Sequence, residues 1–279
     1  MNENNYYLKK ASLCGNVTVT EILTDSSDPK SNERFSNHEE LEIYYFIDGT
    51  LSFFCESEML KIGSGDIVIV SPRLIHRRVI DENIRYHRKH FKISTDFFSD
   101  KAELYKRLVK RGFIKIGGSA VNELGLNILL SEVEGGIDEE SPYGSLCASA
   151  SLLYFFVKAV GYCNERETPI APVIDKTVKE IIRYINDNLS QDLNYTLLSE
   201  KFFMSPKSLY RKFKRETGVS LGKYIKSCRI IKAKHILARG GTANEAAEAV
   251  GYTDYSVFYR SFLNETGVSP YEFAHKKGL

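Results

Sequence analysis

Two near-copies of one short text carry the side chains best placed to do chemistry. The block from Arg211 to Ser220, RKFKRETGVS, recurs from Arg260 to Ser269 as RSFLNETGVS, an offset of 49 with eight identities once Tyr210 and Tyr259 are included. Internal repeats are read before anything else because they define the structural unit. In each copy, apolar residues four apart (Leu209 and Phe213; Phe258 and Phe262) mark the buried stripe of a helix. That stripe turns Lys207, Arg211 and Lys214 outward in the first copy, with Tyr210 on the flank, and Ser256, Tyr259 and Arg260 in the second. With Ser208 and Tyr255, these form a set of candidate DNA contacts. An Arg offers guanine two parallel hydrogen bonds, each good base contact contributing about 1–3 kcal/mol of discrimination. Lys214 and Arg215 suit phosphate better, since about half to two-thirds of hydrogen bonds to DNA reach the backbone and sugar. On one isolated helix such a face would be ordinary solvated surface; duplication argues for more.

The elements that must position these side chains are legible around them. Before each block stands a short helical run, LLSEKF at 197–202 and NEAAEAV at 244–250, then a turn. The turn is Phe203-Met204-Ser205 in the first copy and Gly251-Tyr252-Thr253-Asp254, one residue longer, in the second. Ser205 followed by Pro206 is a helix start, Ser capping free amides and Pro suiting the first turn. Helix, tight turn and second helix is the unit whose second helix enters a major groove. Between the copies, Leu221 to about Arg239 reads as one longer helix, with Tyr224, Cys228, Ile231 and Leu237 apolar and Lys223, Lys226, Arg229, Lys232 and Lys234 charged. It stops at Gly240-Gly241. A rigid connector of this kind predicts a double-stranded DNA site, in a promoter, of two boxes about one helical turn apart.

Charge agrees with this division. The chain of 279 residues carries a net +2, but residues 171–279 hold 18 Lys and Arg against 11 Asp and Glu, while the first 170 hold 20 against 25. Within 201–240 the ratio is 12 to one, so the C-terminal part faces a polyanion and the rest serves something else. A composition of 43% hydrophobic and 27% charged residues is that of a folded globular chain, and the length suggests two domains. The five cysteines are scattered with no Cys-x-x-Cys, which suggests neither a disulfide framework nor a zinc site. The N-terminus, MNENNYYLKK, lacks an apolar segment after its charges, and no apolar run is expected to span a bilayer. A bacterial cytoplasmic location without membrane contact follows as the expectation.

From Glu42 to about Lys92, short β-branched and aromatic runs alternate with turn residues, predicting a sandwich or barrel. From about Lys101 to Tyr162 the period becomes helical, predicting two helices that pack on each other or on a second copy. The pair His87 and His90 lies three apart, which on a strand gives opposite faces and argues against a shared metal; the run Arg85–His90 reads as a charged edge or loop. Residues 163–172, polar and twice interrupted by proline, mark the linker. The expected organisation is an α+β chain of two domains: 1–165 for effector binding and dimerisation, a linker at 166–174, and an all-α DNA-binding domain at 175–279.

Leu198-Ser199, Met204-Ser205-Pro206, Leu209, Arg211-Lys212-Phe213-Lys214, Gly218, Ser220, Tyr224, Arg229 and Ala233 form one set of motifs. Ala246-Ala247, Gly251-Tyr252, Phe258, Arg260, Phe262, Gly267, Ser269-Pro270 and Tyr271 form another. In this combination, residues 193–273 resemble the DNA-binding domain of the AraC/XylS family of regulators. Two positions depart from the family pattern, Ser199 where Ala is usual and Phe203 at the turn. Further upstream, His38, Glu42 and Gly49, then Gly65-Asp66, Pro72 and His76, resemble the two motifs of a cupin-like sensor barrel. Metal-binding cupins need a further His where this chain has Ser36, so the resemblance implies a metal-free, cofactor-free pocket. His38, Glu42, Tyr44, His76 and Arg78 are its candidate effector contacts. A site of this kind places a few polar groups among apolar walls.

The resemblance implies a ligand-responsive transcription regulator, not an enzyme, with a small-molecule effector, a homodimer and RNA polymerase as partners; sugars are common effectors for this sensor type. Two alternatives differ in class. A metal-dependent cupin enzyme fused to a DNA-binding domain would need a full ligand set, and a constitutive DNA-binding protein with a non-functional sensor would ignore small molecules.

Overall fold

The computed structural model describes residues 5–13, 16–24, 35–56, 58–79, 86–138, 142–165 and 174–275. The chain divides into two compact units, the first running mainly to Ala171 and the second mainly from Pro172. The expected linker at 166–174 lies outside the described residues apart from its last position.

Among the described residues of the first unit, nine strands form two sheets. They are β1 (Asn5–Leu13), β2 (Val17–Thr24), β3 (Leu41–Asp48), β4 (Leu51–Cys55), β5 (Glu58–Ile62), β6 (Ile67–Val70), β7 (His76–Val79), β8 (Tyr86–Ile93) and β9 (Phe113–Ile116). One sheet has the order β1-β2-β8-β3-β6-β9 and the other β5-β4-β7. Strand alternation gives the larger sheet two apolar faces. Ile43, Ile67, Ile69, Phe91 and Ile93 join a core shared with the helices, whereas Tyr44, Phe46, Val68, Val70 and Tyr86 join Leu51, Phe53, Cys55, Leu60 and Ile62 between the sheets. The larger sheet is thus the middle layer.

The helical side comprises α1 (Ala102–Lys110), α2 (Gly118–Glu123), α3 (Leu126–Asp138) and α4 (Pro142–Glu165). Here the molecule is richer than the two helices expected for 101–162. The four residues of β9 sit between Gly112 and Gly117 and are too short to show a period. Strands β1 and β2 likewise precede the region read as β from sequence. Helices α3 and α4 do pack together: a Cβ on Gly136 would collide with Gly144 O and stand 2.8 Å from Ala148 Cβ, so only glycine permits this approach. Helix α4 also corrects the reading that no run is long and apolar enough to span a bilayer. Its 21-residue stretch Tyr143–Cys163 has a mean hydropathy of 1.5 and meets that test by length and composition. Leu152, Phe155, Phe156, Ala159 and Val160 of this stretch are buried in the core, as in the central helix of a soluble domain.

The second unit is helical: α5 (Lys176–Asp187), α6 (Tyr195–Lys201), α7 (Pro206–Thr217), α8 (Leu221–Ala238), α9 (Ala243–Ala249), α10 (Tyr255–Thr266) and α11 (Pro270–His275). Each start is capped by a side chain where a free amide needs an acceptor. Asp175 caps α5, Asn194 α6, Ser205 α7, Ser220 α8 and Asp254 α10, while Thr242 and Glu245 form a reciprocal capping box on α9.

Candidate nucleic-acid interface and sensor interior

Helices α6 and α7 form one helix-turn-helix unit, and α9 and α10 the other. Leu209, Phe213, Phe258 and Phe262 are fully buried. All nine candidate DNA contacts, Lys207, Ser208, Tyr210, Arg211 and Lys214 on α7 and Tyr255, Ser256, Tyr259 and Arg260 on α10, are exposed. Lys214 Nζ lies 5.8 Å from the centre of the Tyr210 ring, so the ring partly occupies this cation in the free protein.

The repeated text proves to be mostly the exit of these helices. Thr217 Oγ1 donates to Phe213 O at 2.7 Å and Thr266 Oγ1 to Phe262 O at 2.8 Å. Gly218 (φ 73°) and Gly267 (φ 78°) then close the helices in the left-handed conformation that glycine adopts at least cost. Ser220 and Ser269 accept hydrogen bonds from the amides of Lys223 and Glu272, starting the next helix. Five of the eight identities therefore set a turn and Phe213/Phe262 set a core. Outward, Tyr210/Tyr259 and Arg211/Arg260 are kept, whereas Lys207, Lys214 and Arg215 give way to Ser256, Leu263 and Asn264.

Helix α8 holds the units together. It buries Tyr224, Ile225, Cys228, Ile230, Ile231 and Leu237. Arg229 Nε donates to Leu189 O at 3.0 Å and its Nη2 to Gln191 O at 2.7 Å, while the guanidinium lies 5.6 Å from the centre of the Tyr252 ring. One side chain thus ties the loop before the first helix-turn-helix motif to the turn of the second. Gly251 packs on the same loop: a Cβ there would meet Leu189 O and Ser190 O at 2.8 Å.

In the first unit, the sheet register gathers the expected sensor residues around one carboxylate. Glu42 on β3 is buried; His76 Nε2 lies 3.0 Å from its Oε2, and His90 Nε2 and His38 Nε2 lie 2.9 and 3.5 Å from its Oε1. His76 Nδ1 faces Leu74 O at 3.0 Å, which fixes the orientation of its ring. Tyr44 hydroxyl stands 3.1 Å from His76 Nε2, and its ring stacks on His90 at 4.2 Å. Burial would raise the Glu42 carboxyl, but His76 foremost, with His90 and His38, holds it well below the usual carboxylate range. Burial pushes His90 down to about 4 against the pull of Glu42, leaving it neutral at pH 7. Burial, and then the Glu42 charge, raise the Tyr44 phenol.

His90 corrects the sequence reading. The run ending there is neither edge nor loop but the interior strand β8, paired on both sides. His87 and His90 do face opposite ways: His87 pairs with Glu21 at 2.7 Å, whereas His90 lies opposite Tyr44 and joins Glu42. Only the 48-residue jump from β3 to β8 brings them together, which no local spacing discloses. Arg78, on β7, donates from Nη1 to Tyr86 hydroxyl at 3.0 Å, beside Arg88, which sequence reasoning missed.

His38, Glu42 and His76 place three potential ligand atoms within 4.8 Å of one another. Imidazole and carboxylate suit first-row transition metals. The Lys92 ammonium stands 3.1 Å from His38 Nδ1 and 3.8 Å from Glu42 Oε1, already filling part of the cation's place.

Comparisons with known proteins match these two halves separately. The family model for an AraC-like ligand binding domain matches residues 25–154, and that for a helix-turn-helix domain matches residues 198–276. Among curated relatives, the HTH-type transcriptional activator RhaS of Escherichia coli O139:H28 is 28% identical over 91 residues, 32% of this chain and 33% of that protein. Its namesake from Escherichia fergusonii is 26% identical over 99 residues, 35% of this chain and 36% of that protein. The chain therefore spans about a third of the length of these relatives. Among solved structures, the C-terminal domain of AraT, a response regulator from Geobacillus stearothermophilus, is 30% identical, covering 38% of this chain and 89% of its own, with a TM-score of 0.37. ToxT from Vibrio cholerae O395 is 16% identical over 99% of this chain and 98% of its own, with a TM-score of 0.41. The chain joins an AraC-like ligand binding domain to an AraC-family helix-turn-helix domain.

Proposed function

We propose that this chain is a sequence-specific DNA-binding transcription regulator whose first unit, residues 1–165, senses a small molecule and whose second, 175–279, reads a promoter. The observation that carries this reading is the pair of capped helices α7 and α10, each presenting polar and cationic side chains to solvent from a shared scaffold. Activation, with RNA polymerase as a further partner, is the direction of regulation we read for it, in keeping with relatives named transcriptional activators. Its place would be the bacterial cytoplasm, and no enzymatic step is assigned to it.

A homodimer fits the same reading. Ile128 on α3 and Tyr143, Leu146, Tyr154 and Val157 on α4 are half or more exposed, an apolar stripe beside the α3/α4 contact. A second copy of the stripe would cover it. Sedimentation should give a dimer that Leu146→Glu with Val157→Glu converts to monomer.

The test of DNA reading is selection of genomic fragments by purified protein, then gel-shift competition at fixed salt. A discrete site of two boxes, with preference for it reduced in Arg211→Ala more than bulk affinity, is the expected outcome. Equal binding of all fragments, vanishing at moderate salt, would leave only counterion release and sink the reading. A metal-dependent sensor is the second reading, favoured by the convergence of His38, Glu42 and His76. It requires stoichiometric zinc binding that Glu42→Gln removes.

A further inference from the structure

The interior between the two sheets of the first unit holds two guanidiniums. Register sets Arg88 opposite Phe46 and Arg78 opposite Phe53, and both phenylalanines belong to that interior core. Arg88 is 3% exposed, and its Nε and Nη1 have no hydrogen-bond partner. Its guanidinium carbon lies 5.3 Å from the centre of the Tyr44 ring, and Tyr86 hydroxyl, held by Arg78, sits against it. The leading electrostatic influences on Arg88 are another cation, Arg78, and two phenols, Tyr44 and Tyr86. Burial and the neighbouring Arg78 lower Arg88 to about 10, so it remains a cation at neutral pH.

A buried charge is costly unless it is paired, and the ring faces and phenol offered here supply only partial compensation. A guanidinium fork whose Nε and Nη1 lack an acceptor is matched by a planar or tetrahedral oxyanion, which takes two parallel hydrogen bonds and supplies the missing charge. A neutral polyol would accept the hydrogen bonds and leave the charge unopposed. We infer that the small molecule bound between the sheets is an organic anion, its carboxylate or phosphate clamped by Arg88 and Arg78 with Tyr86 orienting the second guanidinium. This rests on the sensor reading proposed above and narrows its ligand class.

The test uses the full chain and titrates inorganic phosphate, gluconate, glucose 6-phosphate and glucose by calorimetry and thermal unfolding at matched ionic strength. Inorganic phosphate is expected to bind and to raise the melting temperature. Gluconate against glucose 6-phosphate separates carboxylate from phosphoryl ligands, and glucose should bind at least tenfold more weakly than either. Arg88→Met should lose the phosphate response at least tenfold while melting, without ligand, no lower than wild type, because an unpaired buried charge has been removed. Should that variant not fold, Arg88→Lys keeps the charge without the fork and should weaken phosphate at least tenfold. A phosphate response unchanged in the variant that folds, or glucose binding as well as the anions do, would overturn the proposal. Anion binding that leaves DNA affinity untouched would instead remove the sensor role and leave the clamp standing.

Discussion

The two helix-turn-helix units share a scaffold and differ where the scaffold is free to differ. At the turn between helices, both use the same double hydrogen bond of a left-handed cap: Phe203 N to Glu200 O (3.3 Å) with Met204 N to Ser199 O (2.9 Å), and Gly251 N to Glu248 O (3.0 Å) with Tyr252 N to Ala247 O (3.0 Å). The left-handed residue is Phe203 (φ 52°) in one and Gly251 (φ 81°) in the other. Gly251 is wedged against Leu189 and Ser190 carbonyls, where no Cβ fits; Phe203 is 96% exposed, and the space around it tolerates a side chain while the backbone bears the strain. On the outward face, Lys207, Arg211, Lys214 and Arg215 of α7 correspond to Ser256, Arg260, Leu263 and Asn264 of α10. The two copies thus keep the turn and the core, while the outward surface is strongly cationic in one and nearly uncharged in the other.

The comparison breaks most visibly in the cores, where the copies should behave alike. Phe213→Ala and Phe262→Ala should each lower stability by about 3–5 kcal/mol in chemical denaturation of the full chain, and a large disparity would deny that the units are equivalent. The turns should then diverge. Gly251→Ala is expected to cost about 2 kcal/mol or more, from a left-handed alanine pressed on two carbonyls. On DNA, Arg211→Ala and Arg260→Ala should each cost about 1–3 kcal/mol on the selected site, measured by gel shift. The salt dependence should separate them: removing Lys207 and Lys214 together should reduce the slope of log affinity against log salt by about two, whereas changes at Ser256 and Leu263 should leave it alone. The smallest effects run in the stabilising direction. Phe203→Gly should gain about 1 kcal/mol, and Ser199→Ala, which removes a buried hydroxyl with no partner, should be neutral or gain a similar amount. Both would be read as a raised unfolding midpoint.

These two positions also show how far the sequence could be read. Ser199 and Phe203 stood out as departures from the family pattern, and the backbone supplies the reason for each: a buried hydroxyl without a partner and a left-handed turn without its glycine. The helices of the second unit were legible because caps, periodicity and stops are local signals. The sensor interior was not. His38, Glu42 and His76 could be named from motifs and Tyr44 and Arg78 as polar residues near them, but His90 and Arg88 lie on a strand whose alternating charges look like a solvent edge. The buried face of β8 is decided by β3 and by the opposing sheet, and the pairings of Tyr44 with His90 and Phe46 with Arg88 span more than 40 residues. Short strands such as β9, and apolar residues of α4 split between core and surface, escaped for the same reason.

Helix α8, tied by Arg229 to both helix-turn-helix motifs, should hold α7 and α10 at a fixed separation, so that the boxes of the proposed site must keep their spacing. The most direct measurement is affinity for the selected site after inserting 5 or 10 base pairs between its boxes. A rigid pair should lose binding to both insertions, falling to the level of one box alone, since neither the face nor the distance is then matched. Recovery at 10 base pairs, or indifference to either insertion, would contradict the account by showing units that move independently.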